Sequence, residues 1–185
     1  MRILRLILIF AVFTAVLSAN ESAVKVKAQG DNGVNVLKSD KSDLVYAGTW
    51  GDGIYTSSNK GTAFQTKNTG LGNLFINDIA FDSKDVVYVG TQGDGIYKST
   101  NSGNVWTKLA YEGNMNVTSL LINPEDDNKI YAGTYGSGLY YSSDGGASWE
   151  QRNRSAVNDG LNIVIETMHI TTIAVTSNGT LLVGT

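Results

Sequence analysis

Apolar and polar residues alternate in short runs along most of this chain, and glycine-rich stretches separate the runs. The clearest stretch gives Ile76 to Phe81, Val86 to Thr91, Gly95 to Ser99 and Val105 to Leu109, four segments with the length and β-rich composition of single strands. The same order restarts at Val117, and a further pair, Ile170 to Val175 and Thr180 to Gly184, repeats its first half. The prediction is a chain of four-stranded units.

Self-similarity sharpens this. Tyr46 to Phe64, Tyr88 to Trp106 and Tyr131 to Trp149 align without gaps. Gly-Thr pairs begin at Gly48, Gly90, Gly133 and Gly184, at spacings of 42, 43 and 51 residues. A period near forty suits one four-stranded blade of a β-propeller. Gly51-Asp52-Gly53, Gly93-Asp94-Gly95 and Gly136-Ser137-Gly138 fall between the second and third runs, where positive φ is needed for a hairpin.

A second motif joins the third and fourth runs. It is Ser57, Asn59, Gly61, Phe64 in the first unit, Ser99, Asn101, Gly103, Trp106 in the second and Ser142, Asp144, Gly146, Trp149 in the third. Asn or Asp at the second place can fold onto nearby backbone N–H groups, glycine permits the turn, and the aromatic can be buried beneath the hairpin. The motif resembles the Asp-box, S-x-D-x-G-x-x-W, of the BNR and sortilin-type propellers, themselves WD40/YVTN-like repeat proteins. It is also similar to the repeats of xyloglucanase-type and photosystem II assembly factor-type propellers. The first two copies carry Asn for Asp and the first has Phe for Trp, which preserves the turn chemistry. The resemblance implies a structural role for these boxes, on hairpins away from any ligand.

The fold class is therefore all-β: a β-propeller of three full four-stranded blades and a half blade, an incomplete ring. Blades are expected over about 31–68, 74–110 and 115–153, with the half blade over 169–185. A fragment of a longer frame is the favoured explanation; the alternative has Ala23 to Ala28 pairing with the half blade as a closing strand. An open strand edge would invite self-association.

The first nineteen residues stand apart. Arg2 and Arg5 precede an apolar run from Leu6 to Leu17, and Leu17-Ser18-Ala19 offers a cleavage point, so residues 1–19 read as a signal peptide. The run is shorter than the roughly 20 residues of a membrane span. Residues 20–30 form an N-terminal segment, and the mature chain is placed in the periplasm or outside the cell, with no membrane insertion after cleavage. Losing Arg2 and Arg5 takes the net charge from −3 to −5, which argues against nucleic acid as a partner. The chain has no cysteine, so disulfides, thiol chemistry and cysteine-bound metals are excluded.

No catalytic constellation is visible. Sialidases of the resembling group carry a Phe/Tyr-Arg-Ile-Pro motif and an arginine cluster, whereas Arg152 and Arg154 are the only arginines beyond the leader. A xyloglucanase-like hydrolase needs two carboxylates facing across a cleft, and here the acids gather in turns: Asp52, Asp94, Glu125, Asp126 and Asp127. His169 is the single histidine and reads as a bystander; no cofactor and no metal are assigned. What remains is positional. The residue after each Gly-Thr pair varies, as Trp50, Gln92 and Tyr135, followed two places on by Asp52, Asp94 or Ser137. In propeller topology these loops share one face, so Trp50, Asp52, Gln92, Asp94 and Tyr135 are the candidate ligand-binding residues. The competing reading is that Trp50 and Tyr135 only cover the seam between blades. About ten extra residues between Trp149 and Val175, including Ser155 to Met168, would emerge on the same face, either to shape a rim or as an indifferent surface loop. The leading function is a non-catalytic exported module that binds protein or glycan through this face. The alternatives are a piece of a propeller glycoside hydrolase whose catalytic residues lie elsewhere, and a photosystem II assembly factor-like propeller.

Overall fold

The computed structural model describes residues 14–17, 22–25, 32–110, 115–156, 162–164 and 168–185, and among them there is no helix. Strands β1 (Thr14–Leu17) and β2 (Ser22–Lys25) form an antiparallel pair. The rest of the predicted signal peptide and of the N-terminal segment lies outside the described residues. β2 pairs with β1, and Val26 to Ala28 of the closing-strand alternative lie outside the described residues.

Three four-stranded antiparallel sheets follow in chain order. The first contains β3 (Val34–Ser39), β4 (Val45–Thr49), β5 (Ile54–Ser57) and β6 (Gln65–Thr66). The second contains β7 (Ile76–Phe81), β8 (Val87–Thr91), β9 (Ile96–Ser99) and β10 (Thr107–Lys108). The third contains β11 (Val117–Asn123), β12 (Asp126–Thr134), β13 (Gly138–Ser142) and β14 (Glu150–Gln151). A short ladder of β15 (Arg154–Ala156) and β16 (Asn162–Val164) precedes β17 (Thr172–Val175) and β18 (Leu181–Gly184), which pair as the first half of a fourth blade. The first strands β3, β7, β11 and β17 lie next to one another, so they form the inner side of an arc of propeller blades.

The fourth strand of each blade is shorter than its apolar run predicts. In the second blade the N–H of Val105 is taken by Asn101 Oδ1 at 2.9 Å and that of Trp106 by the Thr69 carbonyl at 2.9 Å, which leaves only Thr107 and Lys108 to pair.

The core sits between blades. Tyr46 and Ile54 of the first blade bury against Ile76, Ile79, Val87 and Val89 of the second. Tyr88 and Ile96 of the second bury against Val117, Leu120 and Ile130 of the third, and Tyr131 and Leu139 of the third against Ile170 and Ile173. Side chains alternate across a strand, so each second strand sends its tyrosine into one seam and the next residue, Val89 or Ala132, into the other. The glycine of each Gly-Thr pair is fixed by this packing. A Cβ on Gly90 would lie 2.5 Å from Val117 Cγ1, and one on Gly133 would lie 2.4 Å from Ile170 Cγ2.

Each Asp-box is hydrogen-bonded within its own hairpin. Ser57, Ser99 and Ser142 accept the N–H of Gly61, Gly103 and Gly146 at 2.8–2.9 Å, while Asn59, Asn101 and Asp144 accept the N–H of Ala63, Val105 and Ser148 over the same range. Trp106 reaches back to the preceding blade, where its ring is buried and its Nε1–H donates to the Lys67 carbonyl at 2.7 Å. Trp149 packs against the core between the second and third blades, whereas Phe64 packs against Ala47 and Tyr55 within its own blade.

Candidate ligand-binding face

Each Gly-x-Gly turn is docked on the next blade. The N–H groups of Gly51 and Gly53 donate to the Leu74 carbonyl at 3.2 and 2.9 Å, that of Gly95 to Met115 at 3.0 Å, and those of Gly136 and Gly138 to Met168 at 2.9 and 3.0 Å. These contacts carry the residue after each Gly-Thr pair to the seam. Trp50 pairs with Phe75 of the second blade, its ring edge-on at 5.7 Å. Tyr135 pairs with His169 and the two rings stack at 4.2 Å with planes 8° apart. Both aromatics remain open to solvent, Trp50 at 46% and Tyr135 at 62%. They cover seams and also form the surface of the face. His169, expected to be a bystander, is part of it.

The inner strands supply the floor. β3, β7 and β11 each break register near their start, after Val34, Ile76 and Val117, so that Asn35, Asn77 and Thr118 bulge out of the ladder. Each donates to the next blade: Asn35 Nδ2 to the Ile76 carbonyl at 3.0 Å, Asn77 Nδ2 to Val117 at 2.7 Å, and Thr118 Oγ1 to Ile170 at 2.5 Å. Asn77 Nδ2 also reaches Asn116 Oδ1 at 3.3 Å.

Together these residues line an open pocket of about 460 Å³, bounded by Trp50, Gln92 and Tyr135 above and by Asn35, Asn77, Asn116 and Thr118 below. Of the five residues proposed from sequence, the structure brings Trp50, Gln92 and Tyr135 together and leaves Asp52 and Asp94 out of the lining. The two aspartates are engaged in the blades. Asp52 Oδ1 accepts from Asn32 Nδ2 at 3.2 Å, its N–H donates to Thr49 Oγ1 at 3.0 Å, and its carbonyl accepts from Asn68 Nδ2 at 2.9 Å. Asp94 is turned toward the outer strands, where Lys108 of β10 and the Tyr97 hydroxyl of β9 donate to it and hold its carboxyl below the usual range.

The bulge residues were missed because strand alternation hides them among inward positions. The available signal was a polar residue recurring at one place in every unit, as Asn35, Asn77, Thr118 and Thr171, next to an apolar residue. Of the predicted rim, residues 157–161 and 165–167 lie outside the described residues. Met168 ties the end of that segment to the third blade, its sulfur accepting from Asn153 Nδ2 at 3.1 Å. Among the described residues no group of three or more His, Cys, Asp or Glu could hold a metal.

Successive four-stranded sheets, box hairpins and seam-docked turns define a BNR-type β-propeller. The family model for Sortilin-Vps10, described as sortilin, neurotensin receptor 3, matches residues 52–167, and the chain belongs to this family. No curated protein matches it in sequence.

Solved structures share the fold at low identity. The extracellular domain of a protein described as a hybrid two component system from B. thetaiotaomicron gives a TM-score of 0.73 at 17% identity, covering 94% of this chain and 24% of that one. The GH74 xyloglucanase from Xanthomonas campestris gives 0.60 at 18% identity, covering 82% and 27%. YCF48 bound to D1 peptide gives 0.58 at 16% identity, covering 76% and 48%. The chain thus spans about a quarter to a half of the length of these neighbours.

Proposed function

We propose that this chain is a non-catalytic, exported binding module that takes a protein or glycan on the face carrying Trp50, Gln92 and Tyr135. The observation behind the reading is the pocket itself: exposed aromatics and amides converge on the inner strands of three blades, and among the described residues its lining contains no carboxylate. Glycosidic hydrolysis uses a facing pair of carboxyl groups, so this lining suits recognition rather than cleavage. Export is supported by the apolar leader with its two arginines and by a neighbour that is an extracellular domain. The xyloglucanase and the peptide-bound YCF48 illustrate that the fold takes ligands of both classes.

The test is a screen of the whole chain on glycan and peptide arrays, with Trp50→Ala and Tyr135→Ala variants alongside. Retention of a ligand by the parent and its loss in both variants is the expected result. A ligand retained equally by all three proteins would move the binding site off this face.

A further inference from the structure

We infer that the ligand of this face is a neutral carbohydrate, an inference that rests on the binding reading above and narrows it to one chemical class. Three observations converge on it.

Among the described residues the lining carries no ionisable carboxyl, amine or guanidinium group: it consists of Trp50, Tyr135, four amides and a threonine. A charged ligand would give up its hydration here with no opposite charge to replace it, which is costly. A neutral ligand meets no such cost.

The polar atoms are also arranged by type. Asn77 spends both hydrogens of its N–H₂ group on the next blade, Asn35 spends one on the Ile76 carbonyl, and Thr118 spends its hydroxyl proton the same way. Their oxygens are left as acceptors along the floor. The Asn116 Oδ1 receives Asn77, which leaves the Asn116 N–H₂ as a donor, and the Gln92 side-chain amide enters no hydrogen bond among the described residues. Acceptors below and donors beside them match a ligand whose groups both donate and accept. Hydroxyls do both at a single atom.

Finally, Trp50 and Tyr135 stand on the first and third blades with Gln92 between them, both rings exposed and each backed by a second ring, Phe75 or His169. The backing holds each ring in place before a ligand arrives, which lowers the ordering cost on binding. Preordered aromatic faces spaced along an open pocket suit the apolar C–H faces of successive sugar rings, with the amides taking the hydroxyl edges.

The experiment is calorimetric titration of the whole chain with neutral cello-, manno- and xylo-oligosaccharides, with an acidic oligosaccharide and an uncharged peptide as controls. The expected result is binding of at least one neutral oligosaccharide that is unchanged as salt rises from about 50 mM to about 500 mM. Trp50→Ala is expected to weaken it by about tenfold, and Gln92→Ala by a smaller factor. Because the chain has three tryptophans, fluorescence of the parent and of Trp50→Phe separates the Trp50 signal from those of Trp106 and Trp149. If the uncharged peptide binds in a Trp50-dependent way while no saccharide does, the carbohydrate inference is overturned and the binding face stands. Preference for the acidic oligosaccharide would likewise overturn it. Saccharide binding that is indifferent to Trp50, Gln92 and Tyr135 would overturn both the inference and the face, as would the absence of any binding.

Discussion

Asp78 Oδ2 accepts the backbone N–H of Leu120 at 2.8 Å across the seam between the second and third blades. Its other oxygen takes Lys38 Nζ from the first blade and the N–H of Ile79, each at 2.8 Å, so one carboxylate joins three consecutive blades. Ser119 repeats the role at the next seam, accepting the Ile173 N–H at 3.2 Å. Leu120 is buried, so Asp78→Ala would leave its N–H without an acceptor, at a cost of about 1–3 kcal/mol. Asp78→Ser, which copies the next seam, is expected to cost less. Urea unfolding of the two variants measures the difference.

Gly90 is expected to reject alanine for reasons of packing alone. An added Cβ would meet Val117 Cγ1 at 2.5 Å and Val117 Cβ at 3.0 Å, and forcing it in should destabilise by about 1–3 kcal/mol. Val117→Ala in the same chain makes room, so the double variant should be more stable than the two single effects predict. A double-mutant cycle reads that coupling.

The third Asp-box should confer acid sensitivity that the first two lack. The hydroxyl and N–H of Ser148, then the hydroxyl of Ser142, donate to Asp144 and lower its carboxyl from 3.8 to about 2. A depressed folded value means the stabilisation is present above the unfolded value near 3.8 and is lost as pH falls toward 2. Asn59 and Asn101 do the same job without titrating. Thermal midpoints of the parent and Asp144→Asn should therefore differ above that window and converge below it. A constant difference across the window would contradict the assignment.

Trp50 and Trp106 should separate binding from stability. Trp106 is buried and hydrogen-bonded to the preceding blade, so Trp106→Ala should cost about 3–5 kcal/mol. Trp50 is half exposed and makes one edge-on ring contact, so Trp50→Ala should cost about 1.5 kcal/mol or less. Denaturant midpoints of both variants check the order.

The candidate site was only half legible. Trp50, Gln92 and Tyr135 could be read because they vary at one fixed place in a repeating unit, a pattern that survives without coordinates. Asp52 and Asp94 belong to the same turns, yet their carboxylates are used by Asn32 in one blade and by Lys108 and Tyr97 in the other. Asn32 and Lys108 lie 20 and 14 residues away, where no local rule selects them, and Tyr97, three residues on, acts together with Lys108. Asn35 and Asn77 went unnoticed because a register break cannot be seen in an apolar-polar pattern.

Strand order, the hairpin turns and the box hairpins were determined by the sequence itself, since each depends on residues within a few places of one another: glycines at positive φ, and Asn or Asp bonded to an N–H four residues on. The tertiary structure alone decided which face of each strand meets which neighbour, why Gly90 and Gly133 must lack a side chain, and which polar atoms remain for a ligand. The physical reason is that every blade completes its core and its hydrogen bonds with the next one. A residue's role at a seam is therefore set by a partner about forty positions along the chain.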